Sequence, residues 1–159
     1  MEMRDKICTL GYLEGTFDLF HIGHLNFIEE AKKKCDFLIV GVYSDEVVYS
    51  YKGRFPIIPC LERACILNAL KSVDSVIQLH ERNKIKAYKK IHYNILFMST
   101  FWRESPDYVH LEENLGALNV DVIWIPYYQG ISTSTIINRI ETNQNIRNKQ
   151  KDSERITHA

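Results

Sequence analysis

Long apolar runs are absent from the sequence. No segment approaches the roughly 20 apolar residues that a membrane-spanning helix requires. The first fifteen residues, MEMRDKICTLGYLEG, also lack the long apolar stretch of a secretion signal. We therefore predict a cytoplasmic protein that is neither exported nor bound to a membrane.

Charge of one sign is not in excess either. The 20 Lys and Arg residues balance the 20 Asp and Glu residues, so no overall positive field attracts nucleic acid. Residues 82–91 form a basic helical pattern, which a solvated helix face explains. We predict that the protein binds no nucleic acid and that a local cluster of donors holds any anion it binds.

Cysteine is scarce and is not arranged to bind a metal. The four cysteines (Cys8, Cys35, Cys60 and Cys65) form no Cys-x-x-Cys pair, and no nearby histidine completes the spacing of a zinc site. Because their neighbours are mostly apolar, we interpret them as buried free thiols.

Apolar runs and helical patterns alternate along the 159 residues. Strands are predicted over residues 6–13, 37–43, 73–79, 94–99 and 120–128, and helices over residues 22–34, 60–71, 82–91, 105–118 and 132–141. Residues 44–59 are polar and contain Gly53, Pro56 and Pro59, which predicts an irregular, mobile stretch. The alternation predicts an α/β fold, a Rossmann-like three-layer α/β/α arrangement with a parallel five-stranded sheet. We assign residues 1–141 to this domain and the polar residues 142–159 to a frayed or disordered tail.

Two histidines mark the most informative segment, GTFDLFHIGH at residues 15–24, between the first strand and the first helix. His21 and His24 are three residues apart, which places both imidazoles on one face of the first helical turn. Free N–H groups at a helix start attract anions, and the imidazoles add donors that can become positive near neutral pH. Gly23 removes a side chain where a ligand could approach the backbone. These features suit a site that neutralises charge on a reacting phosphate.

Each of these residues also has a plainer interpretation. A His-x-x-His pair by itself equally well caps a helix or binds a stray metal. Lys52, beside Gly53 on a flexible loop, either closes over bound anions or is a solvated surface lysine. Arg63 lies in a mostly apolar helix and needs an anionic partner, for which we favour a phosphate over a structural ion pair. Asp18 orients the histidine loop, assists Mg²⁺ through water or forms a turn.

Three segments resemble signatures of the cytidylyltransferase family, part of the wider HxGH nucleotidyltransferase superfamily. GTFDLFHIGH resembles the family's GTFDxxHxGH signature. Residues 51–67 (YKGRFPIIPCLERACIL) resemble its lysine-bearing loop and Glu-Arg helix, and residues 130–137 (GISTSTII) resemble its GIST(S/T)T signature. The resemblance spans residues 8–140, and in size and layout it is greatest to the glycerol-3-phosphate cytidylyltransferases.

The resemblance implies an enzyme that condenses CTP with a phosphorylated small alcohol, glycerol 3-phosphate or a similar compound, to give a CDP-alcohol and pyrophosphate. It implies catalytic roles for His21, His24 and Lys52, contact of Lys52 and Arg54 with the substrate phosphate, Mg²⁺ held by the nucleotide's phosphates, and a homodimer. The nucleotide-binding residues that it implies are Gly15, Thr16, Phe17, Asp18, Gly23, Arg63, Gly130, Ile131, Ser132, Thr133 and Ser134.

Two segments depart from the family pattern. Residues 127–129 read Tyr-Tyr-Gln where the family usually has Arg-Thr-Glu, and residues 99–102 read Ser-Thr-Phe-Trp where it often has Gly-Asp-Asp-Trp. These positions serve nucleotide recognition, so the base is less determined than the reaction. Tyr127, Tyr128 and Trp102 are candidates to stack on a base, with core or rim packing as the alternative. An adenylyltransferase acting on another phospho-compound and a catalytically retired, nucleotide-binding regulatory subunit stay open.

Overall fold

A parallel β-sheet forms the centre of the structure, a computed structural model that describes residues 8–108 and 110–157. The strands are β1 (Leu10–Gly15), β2 (Phe37–Tyr43), β3 (Ser75–Leu79), β4 (Ile95–Ser99) and β5 (Asp121–Ile125). The helices are α1 (Ile22–Lys32), α2 (Asp45–Lys52), α3 (Cys60–Asn68), α4 (Lys84–Ile91), α5 (Leu111–Gly116) and α6 (Thr133–Thr157). Short 3₁₀ turns occupy Thr100–Trp102 and Pro106–Tyr108.

Hydrophobic layers on both faces of the sheet confirm the predicted three-layer α/β/α arrangement. Tyr12 of β1 packs in the layer that contains residues of α4 and α5, whereas the next residue, Leu13, packs in the layer that contains residues of α1 and α3. Leu38 and Val40 of β2 belong to the second layer, and Ile39 between them packs on the first. The continuous apolar sequence of β2 follows from this burial on both faces.

The strand order is β3-β2-β1-β4-β5, and every pair of neighbouring strands is parallel. The chain winds outward from β1 to β3 and then returns to the other side of β1. At such a reversal the connections after the two strands turn apart and leave a crevice at the carboxyl edge of the sheet. The histidine loop follows β1 and therefore lies at this crevice.

Two predicted boundaries around the crevice are wrong. β1 continues through Gly15, beyond the predicted end at residue 13, and residues 6 and 7 of the predicted strand lie outside the described residues. The stretch predicted to be irregular contains α2. Ser44 caps this helix by accepting a hydrogen bond from Val47 N at 3.3 Å, and Gly53 ends it in the left-handed conformation at φ 67°.

Other elements differ in extent. The helix predicted over residues 105–118 is divided into the turn Pro106–Tyr108 and α5, and this places Tyr108 on the wall of the crevice. Helix α6 continues to Thr157, beyond the predicted end at residue 141, and residues 138–148 are exposed. The division of the chain into a domain and a tail stays a prediction.

The cysteines are free, and Cys60 is buried. The prediction of buried thiols is wrong for Cys8 and Cys65, which are exposed because the first precedes β1 and the second lies on the solvent side of α3. In the part of the chain that the structure describes, no helix is long and apolar enough to span a lipid bilayer.

Candidate active site

A cleft of about 920 Å³ opens at the crevice, a volume typical of small-molecule sites. Its floor is the histidine loop. One wall comes from the β2 and β3 side of the sheet and the other from the segments after β4 and β5 together with the start of α6. The predicted site residues that line it are Gly15, Thr16, Phe17, Asp18, His21, Gly23, His24, Lys52, Arg54, Ser132, Thr133 and Ser134.

The two histidines form a stacked pair at the start of α1. Their ring centroids are 3.8 Å apart and the rings are inclined by 21°. His21 is the N-cap residue, and its Nδ1 accepts a hydrogen bond from Gly23 N at 3.1 Å. Because Nδ1 is an acceptor, the proton of the neutral ring is on Nε2, where it can be donated to a ligand.

Burial favours the uncharged form of both rings. The ring of His24 lies between Phe17 and Phe20, at centroid distances of 5.4 and 5.6 Å. Burial, reinforced by His21 and Lys52, lowers the pKa of His24 to about 3, and burial also lowers the pKa of His21. Both shifts oppose the prediction that the pair becomes positive near neutral pH. The Nδ1 of His24 is buried without a hydrogen-bond partner among the described residues.

Gly23 makes room for the His21 ring. A Cβ atom at this position would lie 3.0 Å from both Cε1 and Nδ1 of His21. The N–H of Gly23 is also occupied, since it donates to that Nδ1. Gly23 thus lets the first histidine cap the helix; it also lines the cleft, and its contact with a nucleotide stays a prediction.

Asp18 fastens the histidine loop to two neighbouring segments. Its buried carboxylate accepts hydrogen bonds from the backbone N–H groups of Ile57 and Ile58, both at 2.9 Å. Its backbone carbonyl accepts one from Oγ1 of Thr133 at 2.9 Å. Of the roles considered for Asp18, the contacts support orientation of the loop. Phe17 and Leu19 on either side have positive φ angles of 54° and 47°, a strained conformation that such contacts hold in place.

The start of α6 presents hydrogen-bond donors to the cleft. The first helical bond that follows the turn runs from Ile136 N to Ser132 O at 3.0 Å, so the N–H groups of Thr133 and Ser134 precede it. Both residues line the cleft. Gly130 and Ile131 are not brought to the lining, and a Cβ on Gly130 would lie 2.7 Å from the Tyr128 ring. These two residues form the turn behind the wall.

Lys52 is the last residue of α2 and extends into the cleft. It is not on a flexible loop, because Gly53 serves as the helix C-cap and the irregular segment starts after it. Partial burial and the nearby Arg54 lower the pKa of Lys52, and Asp18 opposes them. The ammonium is close enough to His24 to contribute to that residue's low pKa.

Arg63 is a structural residue, which corrects the prediction that it contacts the nucleotide. It is 1% exposed, and each guanidinium nitrogen donates to the protein itself. Nη2 pairs with Oδ1 of Asp45 at 2.6 Å and Nη1 donates to the carbonyl of Thr16. The anionic partner that its apolar helix demanded is a carboxylate at the start of α2 rather than a phosphate.

Sequence reasoning missed a buried polar cluster on the β2 and β3 side of the cleft. Glu14 accepts hydrogen bonds from Tyr12 OH at 2.6 Å and from Tyr43 OH and Lys84 Nζ, both at 2.5 Å. Lys84 is 5% exposed, so the interpretation of its helix as a solvated basic face is wrong at this position. Glu14 was the signal in the sequence, because a carboxylate at the end of a strand buried on both faces needs a paired partner. Arg82 lines the cleft beside this cluster.

The opposite wall is aromatic. Phe101, Trp102, Tyr127 and Tyr128 line the cleft and are all exposed. The Phe101 ring contacts those of Trp102 and Tyr127 at centroid distances of 5.0 and 5.3 Å. The two segments that depart from the family pattern thus meet here, on the rim of the cleft and outside the core.

A stacked histidine pair, a lysine and a second helix start converge on the crevice of a Rossmann-like sheet, and this arrangement suits the nucleotidyltransferase class. The profile of the cytidylyltransferase-like family matches residues 12–139, and the chain belongs to this family.

Relatives in this family have different named activities. The chain is 36% identical over 144 residues to FAD synthase of Thermococcus onnurineus, an alignment that covers 88% of this chain and 96% of the relative. It is 35% identical over 135 residues to the bifunctional protein HldE of Hyphomonas neptunium; 84% of this chain aligns and spans 27% of that much longer relative. A lipopolysaccharide core biosynthesis protein from Thermoplasma volcanium has a similar crystal structure, with 26% identity, a TM-score of 0.64 and coverage of 76% of this chain and 97% of that one.

Proposed function

We propose that this nucleotidyltransferase moves a nucleotidyl group from a nucleoside triphosphate to a phosphate monoester and releases pyrophosphate. The observation that carries the proposal is the stacked pair of His21 and His24 on the floor of a cleft that has Lys52 on one wall and the start of α6 on the other.

The two walls suit two different ligands. The aromatic wall offers faces on which a nucleobase stacks, and the adjacent N–H groups at the start of α6 suit its phosphates. Lys52 on the opposite wall suits the acceptor's phosphate. The two substrates then meet over the histidine pair.

The chemistry is an in-line displacement at the α-phosphorus. An oxygen of the acceptor phosphate forms the new bond, and the bond from the α-phosphorus to the oxygen that bridges to the β-phosphorus breaks. That oxygen leaves with pyrophosphate. His21 donates from Nε2 to the α-phosphate as charge builds on its oxygens, and Lys52 holds the two phosphates together.

Mg²⁺ fits this site as an ion carried by the nucleotide. The carboxylates that line the cleft are engaged: Glu14 by Lys84, Asp18 by backbone N–H groups and Glu30 by Lys33. Among the described residues, no group of three or more His, Cys, Asp or Glu side chains is placed to hold a metal. Mg²⁺ held by phosphate oxygens and water would neutralise part of the triphosphate's charge.

We propose ATP as the nucleotide. The relatives named FAD synthase support this choice, since one aligns over 96% of its length and FAD contains an adenylyl group. The two departures from the cytidylyltransferase pattern both lie on the aromatic wall, which is where the base would bind. CTP is the second candidate, supported by the match of GTFDLFHIGH and GISTS to the cytidylyltransferase signatures.

A pyrophosphate-release panel tests the proposal. It crosses ATP, CTP, GTP and UTP with FMN, glycerol 3-phosphate and a hexose 1-phosphate. We expect release with ATP and one acceptor, no release without an acceptor, and release that is about 10²–10³-fold slower with His21→Ala. Release with CTP alone would establish the second candidate and exclude adenylyl transfer. Nucleotide that raises the Tm while no combination releases pyrophosphate would indicate a retired regulatory subunit.

The homodimer that the family resemblance implies is part of this proposal. Sedimentation velocity at two protein concentrations tests it, and a monomer at both would contradict it.

A further inference from the structure

Arg82 lies on the wall of the cleft that the β2 and β3 side of the sheet forms. It lies in the connection between β3 and α4, immediately before Asn83, the N-cap residue of α4, and it lines the cleft. Its guanidinium carbon lies 4.1 Å from the centroid of the Tyr51 ring, and Nη2 donates to the hydroxyl of Tyr108 at 3.3 Å. Tyr51 is held in turn by a 2.6 Å hydrogen bond between its hydroxyl and that of Thr16 in the histidine loop. These contacts orient the guanidinium over the cleft.

The charge of Arg82 is not neutralised within the described residues. Lys84 nearby pairs with Glu14 at 2.5 Å, and Arg63 pairs with Asp45. No carboxylate lies within ion-pairing distance of Arg82 in the described part of the chain, and its buried Nε has no hydrogen-bond partner there. A buried donor without an acceptor costs free energy, and here it belongs to a group that carries a full positive charge.

We propose that Arg82 binds the acceptor's phosphate group from the β3 side of the cleft. The inference rests on the proposed function, because it requires the nucleotide to occupy the opposite wall. A phosphate oxygen on Nε–H and a second on Nη would satisfy the unpaired donor and form the two-pronged contact that guanidinium makes with phosphate. Lys52 belongs to the same wall, and its ammonium lies 5.6 Å from the Tyr51 ring that Arg82 covers.

Inorganic phosphate is the probe for this site, because it carries the proposed recognition element and nothing else. The full chain is saturated with Mg²⁺ and α,β-methylene-ATP, so that the nucleotide side is filled. Phosphate is then titrated while ¹H–¹⁵N spectra record the arginine Nε–H signals, with that of Arg82 identified by its loss in Arg82→Lys. Exposed Lys86, which pairs with Glu81 outside the cleft, supplies the control variant Lys86→Gln.

We expect phosphate to shift the Nε–H signal of Arg82, and we expect Arg82→Gln to raise the Kd for phosphate at least tenfold. The Kd of Arg82→Lys should lie between those of the wild type and Arg82→Gln, because lysine keeps the positive charge but lacks the two-pronged donor geometry of guanidinium. The Kd of Lys86→Gln should equal that of the wild type. An unmoved Nε–H signal, an unchanged Kd in Arg82→Gln or no phosphate binding would overturn the role of Arg82. If neither α,β-methylene-ATP nor α,β-methylene-CTP binds the wild type, the proposed function fails and the role of Arg82 fails with it.

Discussion

At the scale of single residues, the proposed catalytic role of the histidine pair depends on the positions of its protons rather than on a net charge. Two imidazolium rings 3.8 Å apart would repel each other, whereas two neutral rings stack. The hydrogen bond from Gly23 N to Nδ1 of His21 selects the tautomer that donates from Nε2. A neutral donor already in place stabilises charge that develops in the transition state without reorganising.

Removal of either ring should therefore impair the chemistry without unfolding the protein. We expect His21→Ala and His24→Ala each to lower kcat by about 10²–10³-fold, the usual loss for one preorganised donor. Pyrophosphate release at saturating ATP and acceptor measures this. His80→Ala, which removes an exposed histidine outside the cleft, is the control and should behave as the wild type. Equal activity in all three variants would exclude the histidine pair from catalysis.

Gly23 offers a test of geometry that leaves both histidines present. In Gly23→Ala the new Cβ displaces the His21 ring, so kcat should fall by about ten- to a hundredfold, as expected for a small misplacement of a catalytic group. The Tm should stay within about 3 °C of the wild type. Gly116→Ala is the matched control, because a Cβ there meets nothing within 4 Å. Full activity in Gly23→Ala would mean that the His21 ring can move without cost.

At the scale of elements, Arg63 joins four segments that shape the cleft. From α3 its guanidinium reaches the carbonyls of Thr16 after β1, Tyr43 at the end of β2 and Ile58, as well as the carboxylate of Asp45 in α2. The helix that carries Lys52 is thus tied at its start to the histidine loop. Removal of a buried charged partner leaves the other groups unpaired.

We expect Arg63→Met to lower the free energy of unfolding by about 3 kcal/mol. Arg54→Met, which changes an exposed arginine without an ion pair among the described residues, should change it by less than about 0.5 kcal/mol. Urea denaturation of the two variants gives the comparison. A stable Arg63→Met protein with a raised KM for nucleotide would restore the substrate-contact role that the structure contradicts.

At the scale of the whole molecule, the depressed pKa of His24 couples folding to pH. The folded state holds this ring neutral down to a pKa of about 3, whereas in the unfolded chain it takes up a proton near the ordinary value of 6.5. The unfolded state therefore binds more protons between these values, and stability falls as the pH drops through 6.5.

Between pH 7 and pH 5 this histidine should remove up to about 2 kcal/mol from the free energy of unfolding. Urea denaturation of the wild type and of His24→Phe at both pH values measures the difference, since the other histidines titrate in both proteins. The loss on acidification should be smaller in His24→Phe. The same loss in both would mean that His24 is charged in the folded state.

Hydropathy and local spacing are enough to predict the layers of the fold and the chemistry that is local to one segment. The continuous apolar run of β2 and the alternating helices predict a parallel sheet with two covered faces, because burial is visible in hydropathy. The spacing of His21 and His24 predicts their proximity, because one helical turn defines it. Neither the identity of the base nor the identity of the acceptor and the position of its pocket follows from hydropathy or local spacing.

Which charged side chains are paired within the protein depends on the three-dimensional fold. Arg63 and Lys84 pair with Asp45 and Glu14, 18 and 70 residues away, and Arg82 is left without such a partner among the described residues. Sequence spacing carries no information about these distances, since the strand order of the sheet brings the groups together. An arginine that needs an anion can be recognised in a sequence, but whether that anion is a carboxylate of the chain or a phosphate of the substrate depends on which side chains the fold places within reach.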